Sequence, residues 1–104
     1  MAIRHVFLWK VTPDGDPEFI VNRLNELPGR IPGALSWTIG AHQGEEGNSG
    51  GLWEYALVAD YASMADLDRY SNHEFHQEVV AELLPFFADR AVCDFEIDDP
   101  REVA

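Results

Sequence analysis

Residues 3–11 (IRHVFLWKV) are apolar on both faces of an extended chain, and this constrains the fold more than any other feature. β-Branched and aromatic residues dominate the run, and Pro13-Asp14-Gly15 closes it, which predicts a strand. Alternation places His5, Phe7, Trp9 and Val11 on one face and Arg4, Val6, Leu8 and Lys10 on the other. A strand apolar on both sides needs cover on both sides. A chain of 104 residues has the size of one domain and one core, so helices can cover only one face. The other is expected to close against a second copy, since two-fold dimers are the commonest assembly.

The remaining elements follow from periodicity and punctuation. Asp14 or Asp16 caps a helix that starts at Pro17, with Ile20, Leu24 and Leu27 at helical spacing, and Pro28-Gly29 is expected to end it. Ile31-Pro32-Gly33 turns into a strand over 34–42, in which Leu35, Trp37, Ile39 and Ala41 share a face. The acidic, glycine-rich stretch 44–51 (GEEGNSGG) reads as a mobile hairpin loop and lacks the Lys and Ser/Thr of a phosphate cradle. Residues 52–61 form the next strand. Ser63 and Asp66 resemble a variant capping box opening a helix through Met64, Leu67 and Tyr70. Residues 74–88 carry Val80, Leu83, Leu84 and Phe87 on one stripe, with a kink or break expected at Pro85. Residues 90–98 make the last strand, with Cys93 at a buried position, and 100–104 a frayed tail. The order β-α-β-β-α-β predicts an α+β, ferredoxin-like domain over residues 1–104, its core within about 2–98, pairing into a dimeric α+β barrel.

Charge narrows the partners. With 19 acidic and 7 basic residues the chain carries −12, which repels phosphate backbones and anionic membranes. Neither nucleic acid nor membrane is an expected partner. A single cysteine excludes an internal disulfide, and no apolar run reaches the ~18 residues of a membrane helix. A cytoplasmic location is expected.

Chemistry, if present, rests on few residues. His5 shares a strand face with Phe7 and Trp9, and His76 lies on the apolar helical stripe. Imidazoles aimed into apolar surroundings need hydrogen-bond partners, and burial lowers their pKa, which suits a neutral general base. His73 and Tyr70 precede His76 by three and six residues, so phenol and imidazoles converge if the chain turns gently through Ser71-Asn72. Each residue also has a bland role, His76 as a satisfied core histidine and Tyr70 as an amphipathic core residue with its hydroxyl at the rim. His73 and His76 have Glu74 and Asp68 nearby but no evident third ligand, so no metal is expected.

The opening residues 3–10, Pro28 through Gly33 leading to Trp37 and Gly40, YALVADY at 55–61, LDRYSNHEFH at 67–76 with Val79-Val80, and Asp94-Phe95 together resemble the stress-responsive dimeric A/B barrel (Dabb) family. The resemblance covers nearly the whole chain and implies a ferredoxin-like homodimer with facing sheets. Its best understood members resemble the olivetolic acid cyclase type of polyketide cyclase, which closes a ring by aldol chemistry without a cofactor. Carried over, the resemblance makes His76 the base, Tyr70 its partner and His5 the strand histidine. A further polar pocket position falls on or near Tyr55 instead of a histidine, and the first-helix aromatics fall at Phe19 and Ile20. Around the catalytic trio, Phe7, Trp9, Phe19 and Tyr55 are expected to line the substrate pocket. His73, Val80 and Leu84 complete it. The expected function is cofactor-independent acid–base catalysis of cyclase, lyase or isomerase type on a small polyketide-like or aromatic carbonyl compound. The alternative is a non-catalytic stress-related or small-ligand-binding barrel.

Overall fold

A computed structural model of the chain describes residues 1–47 and 51–102. The hairpin loop expected over 44–51 and the tail over 100–104 thus fall partly outside the described residues.

Four antiparallel strands form one sheet in the order β2-β3-β1-β4: β1 (Ala2–Val11), β2 (Ala34–Ala41), β3 (Tyr55–Tyr61) and β4 (Phe87–Ile97). Helices α1 (Pro17–Leu24), α2 (Leu27–Arg30), α3 (Met64–Asn72) and α4 (Glu74–Leu83) complete it, and a 3₁₀ turn over Leu84–Phe86 leads into β4. The β-α-β-β-α-β plan holds, with each helical layer split in two. The split in the first layer departs from the expected single helix ending at Pro28-Gly29. Pro28 has no N–H to give a helix running on from α1, so the chain breaks after Leu24 and restarts as one turn with Pro28 near its beginning, where no donor is needed. Asp16 caps α1, its carboxylate accepting from the N–H groups of Glu18 (3.0 Å) and Phe19 (3.3 Å). Gly33 then turns the chain into β2 with φ 123°, a conformation that disfavours any side chain.

The register fixes both faces. His5 opposes Ala59 and Asp94, Phe7 opposes Leu57 and Val92, and Trp9 opposes Tyr55 and Arg90, all on the helix side. Trp9, Ile20, Leu27, Leu57, Tyr61, Val79 and Leu83 are fully buried there. On the outer side, cross-strand rows run Val58–Val6–Cys93 and Ala56–Leu8–Ala91. No helix covers these rows. The expected burial of Cys93 is corrected accordingly: it is exposed, because the outer face of β4 has no layer above it within one chain. Three further boundaries differ. Leu35 is the extra residue of a bulge between Ala34 and Ser36, outside the expected row. β3 begins at Tyr55 instead of residue 52, and just before it Glu54 keeps backbone bonds to Trp9 and His42 while its carboxylate accepts the Val11 N–H at 2.6 Å. Pro85 stops α4 at Leu83, so Phe87 opens β4 instead of closing a helical stripe.

Among the described residues, no helix is long and apolar enough to cross a membrane.

Candidate active site

The break between α3 and α4 builds the site. Six residues on a continuous helix advance by about 600°, so Tyr70 and His76 would point roughly 120° apart. His73 breaks that path. It is extended (φ −63°, ψ 140°), and its Nδ1 accepts the N–H of Phe75 at 3.0 Å, capping α4. The redirected α4 buries Phe75, Val79 and Leu83 and turns His76 back over Tyr70, with ring centroids 4.6 Å apart. Convergence therefore comes from a sharp break, not a gentle turn.

Tyr70 is buried amid rings. Besides His76 it meets Tyr61 (5.2 Å), Trp37 (6.0 Å) and His5 (6.1 Å). Burial pushes its phenol well above the ordinary value, so the hydroxyl stays protonated and available as a donor. Burial also lowers the His76 imidazole. The Ser71 backbone opposes this, and His5 and His73 add to it. His76 Nδ1 is buried with no hydrogen-bond partner among the described residues. His5 is fixed from the other side: its Nδ1 lies 2.6 Å from Asp94 Oδ1, across the β1–β4 register. An ionised Asp94 holds the proton on Nδ1 and leaves Nε2 as an acceptor.

These groups border a cavity of about 230 Å³ between the helices and the β1–β4 side of the sheet. Phe7, Leu57 and Val92 form its floor, Leu24, Val80 and Leu83 its helical wall, and Phe87 and Arg90 one end. A larger hollow of about 520 Å³ lies near Thr12, His42, Glu54 and Tyr55. It is an open depression that holds none of the three converging rings, so the smaller, more enclosed cavity is the better candidate.

Of the residues expected from the sequence, the structure brings together His5, Tyr70, His76, Phe7 and Val80. Trp9 does not line this cavity; it is fully buried, stacked between Phe7 and Tyr55. Tyr55 borders the open hollow, Phe19 and Leu84 are exposed, and His73 serves α4 as a cap. Sequence reading missed Asp94, Arg90 and Ser71. The signal for the first two lay in the alternation of the last strand. Arg90, Val92, Asp94 and Glu96 make one row and Ala91, Cys93, Phe95 and Ile97 the other. The polar row, ordinarily read as the solvent side, faces the cavity here. Among the described residues, no three His, Cys, Asp or Glu side chains gather as a metal site.

A four-stranded antiparallel sheet with both helical layers on one face defines a ferredoxin-like α+β protein. The model of the stress responsive A/B barrel domain matches residues 3–97, and the chain belongs to that family. Among solved structures, a dimeric ferredoxin-like protein of unknown function from Thermobifida fusca YX is 28% identical, with 93% of this chain and 92% of that one covered and a TM-score of 0.77. A hydroxynitrile lyase from Passiflora edulis is 18% identical, covering 94% of each chain with a TM-score of 0.83. A Dabb family protein from Mesorhizobium loti is 14% identical over 94% of this chain and 98% of that one, with a TM-score of 0.78. No curated protein matches the sequence.

Proposed function

We propose that this protein is a cofactor-independent acid–base enzyme acting on a small carbonyl compound, with cyclisation of aldol type or the related lyase chemistry as its reaction. The observation that carries the reading is the meeting of a neutral imidazole, a protonated phenol and a carboxylate-held histidine around one partly open cavity. His76 takes a proton from a carbon beside the carbonyl, and the bond's electron pair moves onto the carbonyl oxygen. Tyr70 donates a hydrogen bond to the resulting enolate, and His5, whose Nδ1 is held by Asp94, offers Nε2 to accept a hydrogen bond from a hydroxyl of the substrate. Oriented donors at a developing oxyanion contribute about 3–4 kcal/mol of barrier lowering in enzymes where one has been removed. The hydroxynitrile lyase among the structural relatives supports a lyase variant of the same proton chemistry.

The active form is a homodimer closed through the outer sheet face. The uncovered rows around Val6 and Leu8 and the dimeric relative from Thermobifida fusca support this.

The test is proton chemistry itself. Small 1,3-dicarbonyl compounds and aromatic hydroxynitriles are offered in deuterated buffer, with deuterium incorporation and aldehyde release followed by NMR. Turnover that disappears in His76→Ala is expected. Turnover undiminished in that variant removes His76 as the base, and no turnover above the protein-free rate removes the enzyme reading in favour of a small-ligand-binding barrel.

A further inference from the structure

Arg90 stands apart from the other cations. In a chain of net charge −12, its sister arginines have engaged partners. Arg4 holds Asp60 in a two-point pair, Arg23 bridges Glu26 and Glu82, Arg69 meets Asp66, and Arg101 meets Asp99. Arg30 lies over the ring of Phe75 at 4.1 Å. The Arg90 guanidinium has no carboxylate, ring or hydrogen-bond partner among the described residues, though acidic side chains outnumber basic ones 19 to 7. It nonetheless lines the cavity that holds His5, Tyr70 and His76.

Register gives the cavity a polar axis. His5 and Asp94 form one rank, Phe7 and Val92 the next, and Trp9 and Arg90 the third. Two strand residues advance about 6.7 Å, so the Arg90 and Asp94 backbones lie roughly 13 Å apart with an apolar rank between them. One end presents a carboxylate bound to histidine, and the other the exposed Arg90 guanidinium, permanently charged and shaped for a planar anion.

We infer that Arg90 is the specificity residue of this cavity, binding the carboxylate of a carbonyl substrate and placing its reactive carbon toward His76 and Tyr70. The inference rests on the acid–base reading above and adds the substrate class: a small oxo acid or aryl carboxylate instead of a neutral ketone. Repulsion from Asp94 disfavours the reversed orientation, and the guanidinium supplies the local attraction that an acidic protein otherwise denies an anion.

Benzoate and benzamide test this, since they share shape and differ in charge. Titrating each into the intact protein by NMR, with cavity resonances as the readout, should show benzoate binding on the order of tenfold more tightly, as expected for a charge-assisted pair at a partly open site. Arg90→Gln should bring the two affinities within about twofold by weakening benzoate alone, and Arg90→Lys should restore part of the preference. Equal affinities in the unaltered protein, no detectable benzoate binding at millimolar concentration, or a preference that survives in Arg90→Gln overturns the inference. In that case Arg90 is only a charge on an edge strand. These titrations need no turnover. No preference in the unaltered protein together with intact His76-dependent turnover removes the role of Arg90 alone, whereas a preference without turnover upholds the anion site and removes the catalytic reading.

Discussion

The rings of Tyr70 and His76 lie 4.6 Å apart and tilted by 59°, although a helix break separates them in the chain. Proximity of a protonated phenol to a neutral imidazole is a working arrangement for moving a proton from carbon. Its two members have separable duties. His76→Ala removes the proposed base and should lower kcat on the order of 100- to 10,000-fold. Tyr70→Phe keeps the ring among Tyr61, Trp37 and His5 and removes only the donor, so kcat should fall while KM stays within about threefold. Steady-state kinetics on a substrate found by the exchange assay decide it. Unchanged kcat in Tyr70→Phe would show that the hydroxyl is only a rim group.

The same imidazole is a burden on the fold. Its Nδ1 is buried without a partner, and burial depresses its pKa below the ordinary 6.5. Folding thus favours the neutral ring. Above pH 6.5 both folded and unfolded chains hold it neutral; below, the unfolded chain binds the extra proton first. Stability from this residue is therefore complete above pH 6.5 and lost as pH falls toward the depressed native value. His76→Leu should abolish turnover yet raise stability by about 1 kcal/mol at pH 5, or roughly 4–8 °C in Tm, with a smaller gain at pH 8. Melting curves at both pH values measure this. A variant that melts lower at pH 5 would mean that His76 is a satisfied structural residue.

Dimerisation should depend on the centre of the outer sheet face. Val6 sits between Val58 and Cys93 in one cross-strand row, and Leu8 between Ala56 and Ala91 in the next. Val6→Asp places a carboxylate where the two-fold partner would desolvate it, weakening association by on the order of 100-fold or more. Sedimentation at micromolar concentration should give a dimer for the unaltered chain and an 11.7 kDa monomer for the variant. A monomer in both would leave the outer rows without their proposed cover.

His73 should prove a structural residue. Its ring accepts the Phe75 N–H at the start of α4, so His73→Ala should cost about 0.5–2 kcal/mol, and His73→Asp or His73→Ser should recover most of it. Denaturant titration gives the ranking. Failure of both replacements to restore stability would point to a role beyond capping.

Much of the fold was legible because its signals are local. The doubly apolar β1, the Asp16 cap (one of two candidates beside Asp14), the Ser63 cap and the break at Pro85 each rest on residue types acting within a few positions. The split at Pro28 was misjudged because a proline can end one helix or begin the next, and the choice fell one turn earlier than composition implied. Cys93 was misplaced for a different reason: one chain has no layer over that face.

Residue type and order were enough for the fold class, for a first strand apolar on both faces, and for His5, Tyr70 and His76 as candidates. How the three meet, and which side chains join them, was settled by packing in three dimensions. Asp94 and Arg90 are 89 and 81 residues from His5 and Trp9, and only the β1–β4 register brings each pair together. The turn that stacks His76 on Tyr70 depends on a single extended residue at position 73. Pairing across a sheet is a long-range choice made by the whole core at once, and a one-residue slip would send Asp94 and Arg90 to the outer face, away from the cavity.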